Sequence, residues 1–64
     1  MKNLFIKELK KQFNIIANEN EIELFEEGIY LPGTKIMSTG ISYDYNGKCY
    51  YMSEYDKKLI CINL

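Results

Sequence analysis

The chain has 64 residues, with eight Lys or Arg against nine Asp or Glu and a formal net charge of −1. This length supports one domain, over residues 1–64, and so small a domain buries only about 60% of its unfolded surface. His, Arg, Trp and Val are absent. The lack of His excludes an imidazole base and His-containing zinc sites, and the lack of Arg excludes bidentate recognition of phosphate or guanine. The near-neutral charge gives no general attraction to nucleic acid or anionic membranes.

The first 16 residues do not match a secretory signal, because the apolar run Leu4–Ile6 is short and Lys7 follows at once. No apolar stretch is long enough to span a membrane. Cys49 and Cys61 lack the spacing and the companion ligands of a metal site, and we expect them to be free thiols in the cytoplasm. Ile, Lys, Asn and Tyr, which have A/T-rich codons, supply 29 of the 64 residues. This bias indicates a low-GC bacterium, or its phage or mobile element.

Residues 3 to about 17 predict an amphipathic helix. Its apolar side chains share an arc of roughly 120°: Phe5, Ile6, Leu9, Phe13, Ile16 and Ala17. Leu4 and Ile15 fall together outside this stripe. Burial under the neighbouring strands would explain this pair, and so would contact with a second subunit. We expect a homo-oligomer in which Leu4 and Ile15 form contacts.

After the helix, the hydrophobic period falls to two. Ile22 and Leu24 alternate with Glu21 and Glu23, which favours a strand over about residues 21–26. A short helix ending at Gly28 is the alternative. Residues 31–34, Leu-Pro-Gly-Thr, match a type II turn, and a strand is expected over about residues 34–45 with Gly40 as a bulge or bend.

The strongest local signal is Asn46-Gly47, which predicts a two-residue type I′ hairpin. The second strand then covers about residues 48–54, and Ile41 lies opposite Met52. One face carries the apolar side chains of Ile41, Tyr43, Tyr50 and Met52. The other face carries Ser42, Asp44, Cys49, Tyr51 and Ser53, and we expect Tyr51 to be exposed there.

The last strand is expected over residues 59–63. A three-residue turn at residues 56–58 would place Ile62 opposite Met52 and Cys61 opposite Ser53, and would add Ile60, Ile62 and Leu64 to the core face. The Cys49 and Cys61 sulfurs would then be more than about 10 Å apart and could not form a disulfide. The predicted fold class is α+β: one N-terminal amphipathic helix packed on a small antiparallel meander of three to five strands.

Two features suggest a contact surface. All six Tyr lie between residues 30 and 55, and Tyr is common at binding hot spots, although strand propensity and codon bias also favour it. Residues 2–11 carry a local charge of +3 and residues 19–27 a local charge of −5. The glutamates could form a solvated edge or a ridge that docks on a basic partner. The candidate contact residues are Tyr30, Tyr45, Tyr51, Tyr55, Glu21, Glu23, Glu26 and Glu27.

These observations predict a protein that is not an enzyme, with no catalytic residues, no metal and no cofactor. Its expected activity is to bind and modulate, by inhibition, another macromolecule, as an accessory or anti-defence inhibitor from a phage or mobile element would do. The expected partner is a protein rather than a membrane or a nucleic acid. Two alternatives remain: a nucleic-acid-binding module that uses Lys and exposed Tyr, and a small-ligand-binding oligomer, or sponge.

Overall fold

A computed structural model describes residues 1–31 and 33–63, and the side chains of all of these except Glu27 and Ile29. Four strands form one antiparallel sheet in the order β1-β2-β3-β4, with one helix before them. The elements are α1 (Lys2–Phe13), a 3-10 turn (Glu19–Glu21), β1 (Glu23–Tyr30), β2 (Met37–Tyr45), β3 (Lys48–Ser53) and β4 (Leu59–Asn63). The predicted α+β class with a small meander is confirmed.

The helix ends at Phe13, four residues before its predicted end. Asn14 takes the left-handed conformation, with φ 57°, which Asn tolerates better than most residues. Its N–H donates to the Lys10 carbonyl, and the N–H of Ile15 donates to the Leu9 carbonyl. This cap reverses the chain, so that Ile16 is 81% exposed while Ile15 is 8% exposed and lies in the core. The expectation that Ile15 contacts a second subunit is therefore wrong, because its own fold buries it.

The main core lies between α1 and one face of the sheet, which we call the helix face. The helix contributes Phe5 and Leu9, Ile15 follows it, and the strands contribute Ile41, Tyr43, Tyr50 and Met52. The Phe13 ring contacts the Tyr50 ring edge-on, with centroids 4.9 Å apart. The buried Tyr43 hydroxyl accepts a hydrogen bond from the Asn18 N–H at 3.2 Å, so this polar group keeps a partner inside the core.

Residues 21–27, for which the sequence allowed either a strand or a short helix, form mainly strand. β1 runs from Glu23 to Tyr30, and its register with β2 shifts between Phe25 and Ile29, around Gly28 at φ 85°. The irregularity is therefore in β1 and not at Gly40, where we expected it. Gly40 pairs regularly with Phe25 on one side and Ser53 on the other.

Both turns predicted from short motifs have the expected backbone. The Thr34 N–H donates to the Leu31 carbonyl at 3.0 Å and Gly33 has φ 73°, as a type II turn requires, while Pro32 lies outside the described residues. Asn46 and Gly47 have φ 53° and 79°, as in a type I′ turn. The predicted register between β2 and β3 is confirmed over the whole hairpin, including Ile41 opposite Met52.

The predicted register between β3 and β4 is wrong. Met52 lies opposite Leu59 rather than Ile62, and Cys61 lies opposite Tyr50 rather than Ser53. The connection is longer than predicted: Lys57 takes the left-handed conformation at φ 54°, and its N–H donates to the Ser53 carbonyl.

This odd shift reverses the faces of β4. Leu59 and Cys61 lie on the helix face, and Ile60 and Ile62 lie on the opposite face, while Leu64 is outside the described residues. Cys49 and Cys61 are both free thiols and lie on opposite faces. Among the described residues, no helix has the length and apolar character needed to cross a bilayer.

Candidate functional site

The face of the sheet opposite α1 has its own small core, built on Tyr51. Tyr51 is only 2% exposed, so the expectation of an exposed Tyr51 is wrong. Its ring lies over Gly40, where a Cβ atom would come within 2.5 Å of the Tyr51 hydroxyl oxygen. The Phe25 ring is 6.2 Å away between centroids, and Leu31, in the connection from β1 to β2, is also buried. We call this face the loop face.

Hydrogen bonds tie the β3–β4 connection to the start of β2. The Ser53 hydroxyl donates to the Ser38 hydroxyl at 2.8 Å, and the Tyr55 N–H donates to the Oγ atoms of Ser53, at 2.9 Å, and Ser38, at 3.2 Å. The Thr39 hydroxyl also donates to the Glu54 carboxylate. Every buried side-chain N or O atom in the described part of the chain has a hydrogen-bond partner. The backbone at Tyr55 is therefore held in place although its side chain lies in solvent.

An exposed group of large side chains lies where these connections meet the sheet. Tyr30 is 61% exposed, Met37 56% and Tyr55 66%, and Ile36 is exposed beside them in the chain. Tyr30 pairs with Met37 across β1 and β2, and Tyr55 is bound through its backbone to Ser38, the next residue. We call Tyr30, Ile36, Met37 and Tyr55 the loop-end patch.

A cavity of about 180 Å³ opens on the loop face at the same end of the sheet. Leu31, Tyr51 and Ile60 give it an apolar lining, and Asp56 and Lys58 also line it. Pockets for drug-sized ligands have volumes of about 300–1,000 Å³. This cavity is smaller, and it suits one side chain of a protein partner better than a whole ligand of that size.

The other predicted contact residues lie elsewhere. Tyr45 is at the opposite end of β2, where its ring stacks on that of Tyr43 with centroids 6.2 Å apart. Glu21 and Glu23 share a groove of about 240 Å³ with Ser42 and Asp44.

Glu26 lines a third opening, of about 440 Å³, which also includes Met1, Lys2 and Leu24. The side chain of Glu27 is one of the two in β1 that the structure does not describe. The structure thus places Tyr30 and Tyr55 at the same end of the sheet but does not bring all the predicted residues to one surface.

Cys49 lies near the acidic groove and has a perturbed pKa. Burial, followed by a hydrogen bond to Asp44 and the charge of that carboxylate, raises the pKa of Cys49 from its ordinary value of 9.0 to about 11. The thiol is therefore protonated at neutral pH and is a poor nucleophile. Burial also raises the pKa of Tyr51. Within the described ranges, no three acidic or Cys side chains are grouped to hold a metal ion.

Sequence reasoning missed Ile36 and Met37 as members of the patch. Met37 lies four residues before Ile41 in β2, so strand alternation places it on the same face as that core residue. The missed signal is the limited length of the helix: twelve residues span about 18 Å and cannot cover every strand end.

The chain matches no family model, and searches of curated proteins and of solved structures give no match.

Proposed function

We propose that this chain is a non-enzymatic protein that binds and modulates another protein through the loop-end patch. The observation that supports this proposal is the exposure of Tyr30, Met37 and Tyr55, each by more than half, at one end of the sheet. Exposed Tyr and Met side chains on a fixed backbone provide large contact areas at low entropic cost, and such residues are enriched at protein interfaces.

The charge at the patch favours a protein partner over a nucleic acid. The connection from β3 to β4 carries Glu54 and Asp56 together with Lys57 and Lys58, so its formal charge is zero. Binding to phosphates needs an excess of positive charge. The cavity on the loop face, at the same end of the sheet as the patch, would accept one apolar side chain of the partner, in the manner of a hot-spot pocket.

The glutamates of β1 and of the 3-10 turn before it would act at a distance from the patch. Glu21, Glu23 and Glu26 give the other end and the edge of the sheet a negative charge that would steer a basic partner during encounter. A chain that binds in this way without catalysis would act by occupying its partner's surface, which is the mode of action of an inhibitor. The codon bias is consistent with an accessory inhibitor carried by a phage or mobile element in the cytoplasm of a low-GC bacterium.

A capture experiment with a double variant tests this proposal. The wild-type chain, Tyr30→Ala/Tyr55→Ala and Ile16→Ala are immobilised and exposed to lysate of the organism that carries the gene, with and without nuclease treatment. We expect wild type and Ile16→Ala to retain the same protein, and the double variant to retain at least about tenfold less, since removing two hot-spot tyrosines costs several kcal/mol.

Ile16 is a suitable control because it is 81% exposed and lies outside the patch. Thermal melting of all three chains checks that they are folded. Equal retention by the double variant would contradict the proposed site, and a partner that disappears after nuclease treatment would favour the nucleic-acid alternative.

A further inference from the structure

The two edges of the open sheet differ in how they are protected against pairing with another strand. β1 carries Glu23, Glu26 and Glu27 and has a shifted register around Gly28. Charges and irregular backbone are the usual means by which edge strands avoid association. β4, at the other edge, reads Leu-Ile-Cys-Ile-Asn, with no charge, no Pro and no Gly, and it pairs with β3 without a register shift.

The register shows which backbone groups of β4 are unpaired. Tyr45 and Lys48 flank a two-residue hairpin and form a hydrogen-bonded pair, and such pairs alternate along antiparallel strands. The bond from the Glu54 N–H to the Thr39 carbonyl, at 2.9 Å, continues this alternation at the far end of the hairpin. Backbone groups of Cys49 and Tyr51 therefore point towards β4.

The partners of Cys49 and Tyr51 in β4 are Ile62 and Ile60. The backbone N–H and C=O groups of the alternate residues, Leu59, Cys61 and Asn63, therefore point away from the sheet. In the part of the chain that the structure describes, no strand pairs with this outer edge of β4.

We propose that two copies of the chain pair antiparallel through β4, about a two-fold axis at Cys61, and join their sheets. In this register Leu59 of one copy faces Asn63 of the other, Ile60 faces Ile62, and Cys61 faces Cys61. The outward backbone groups of one copy meet those of the second, as a self-complementary interface requires.

The side chains favour a second copy as the occupant. Ile60 is half-buried and Ile62 is 40% exposed, and both lie on the loop face. Pairing gathers these two isoleucines from each copy into one apolar cluster. No like charges meet across this pair, whereas two copies of β1 would bring their glutamates together.

Leu4 adds to the same interface. The helix backbone lies close to that of β4. Lys2 lines an opening with Leu24 of β1, and Leu4 lies about 200° around the helix from Lys2. Leu4 therefore lies on the flank of the helix away from Lys2, and it is 38% exposed.

Apart from Ile60, which also lines the cavity on the loop face, this interface shares no residue with the loop-end patch or that cavity. Ile62→Lys alters neither, so the two proposals can fail independently. A pair of five-residue strands forms a small interface, below the roughly 1,200 Å² of a standard stable complex. We therefore expect a reversible dimer with a dissociation constant of about 10–100 μM.

Analytical ultracentrifugation of wild type, Ile62→Lys and Ile16→Lys tests the interface. Over about 5–500 μM, a range that brackets the expected dissociation constant, the wild type should change from monomer to dimer. Ile62→Lys places a charge opposite Ile60 and should weaken association at least tenfold, while Ile16→Lys should behave as wild type. Circular dichroism confirms that each variant is folded.

Oxidative cross-linking tests the register. Residues in a hydrogen-bonded antiparallel pair have Cα atoms about 5.5 Å apart, within the range for a disulfide. Diamide oxidises two Cys61 thiols to one disulfide and takes up the two hydrogens. Covalent dimer should form with wild type and Cys49→Ser but not with Cys61→Ser. The proposal is overturned by a monomer at all concentrations, by an Ile62→Lys dimer as strong as wild type, or by a cross-link that needs Cys49.

Discussion

The helix face and the loop face of the sheet are buried by different parts of the chain. On the helix face, α1 supplies Phe5 and Leu9, which pack against a set of strand residues. On the loop face, Tyr51 fills the space that Gly40 leaves, and Leu31 is buried in the connection between β1 and β2. Alternation therefore assigns a residue to a face, but the side chains that cover that face come from parts of the chain distant in sequence.

Replacing Tyr51 should have the largest effect on stability. Tyr51→Ala removes the side chain that fills the loop-face core, and we expect it to lower the free energy of unfolding by about 3–5 kcal/mol, the usual cost of a buried aromatic truncation. Urea denaturation measures this change. Tyr55→Ala is the matched control, because Tyr55 is exposed, and it should change stability by less than about 0.5 kcal/mol. Equal effects of the two substitutions would show that the faces are wrongly assigned.

Gly40→Ala should destabilise the same core by a smaller amount. The added Cβ would lie 2.5 Å from the Tyr51 hydroxyl oxygen and 2.7 Å from the Met52 carbonyl oxygen, so both must move. We expect a loss of about 1–3 kcal/mol, as for other overpacked sites. Urea denaturation of Gly40→Ala in the Tyr51→Phe background, which lacks the hydroxyl, should show a smaller loss. An unchanged loss would mean that the hydroxyl does not set this constraint, and would leave the Tyr51 ring carbon Cε2 and the Met52 carbonyl oxygen, each 2.7 Å from the added Cβ, as its cause.

Alkaline pH should lower the free energy of unfolding, because it ionises the Cys49 thiol on the loop face. The pKa of Cys49 is raised from 9.0 to about 11, mainly by burial, so folding favours the protonated thiol. This contribution is complete below pH 9.0 and is lost as the pH rises through about 11. Urea midpoints measured across this range should fall less steeply for Cys49→Ala than for wild type. Identical slopes would contradict the assignment.

The smallest effect concerns the reaction rates of the two thiols. Cys61 is exposed and Cys49 is half-buried with a raised pKa, so iodoacetamide should label Cys61 first, as followed by mass spectrometry. Asp44→Asn removes the charge that helps to raise the pKa of Cys49, and it should therefore speed labelling of Cys49 at mildly alkaline pH. Labelling of Cys61 serves as the internal control. Faster reaction of Cys49 than of Cys61 in wild type would contradict the described burial.

The parts of the fold that could be predicted are those encoded by neighbouring residues. Asn46-Gly47 determines its own turn, and through it the whole register of β2 and β3. The end of the helix could not be predicted in this way, because the sequence has Asn at positions 14, 18 and 20, and each of these residues tolerates the left-handed conformation of a helix cap. The register of β4 depends on Lys57 in a left-handed conformation that Lys rarely takes.

The candidate site was predicted only in part, for the same reason. Tyr30 and Tyr55, two of the predicted contact residues, are exposed. Burial of Tyr51 depends on Gly40 and Leu31, which are 11 and 20 residues away in the sequence. Met37 was overlooked because strand alternation places it on the helix face, where a core residue is expected. It is exposed because α1 does not cover that end of the sheet.

Nitration of the native protein by tetranitromethane, mapped by mass spectrometry, is the most direct test of how the two faces divide the six tyrosines. We predict that the exposed rings, Tyr30, Tyr45 and Tyr55, are modified, and that the buried rings, Tyr43, Tyr50 and Tyr51, are protected until urea unfolds the chain. Modification of Tyr51 at the rate of Tyr55 in the native protein would contradict a loop-face core and, with it, the fixed backbone beneath the proposed patch.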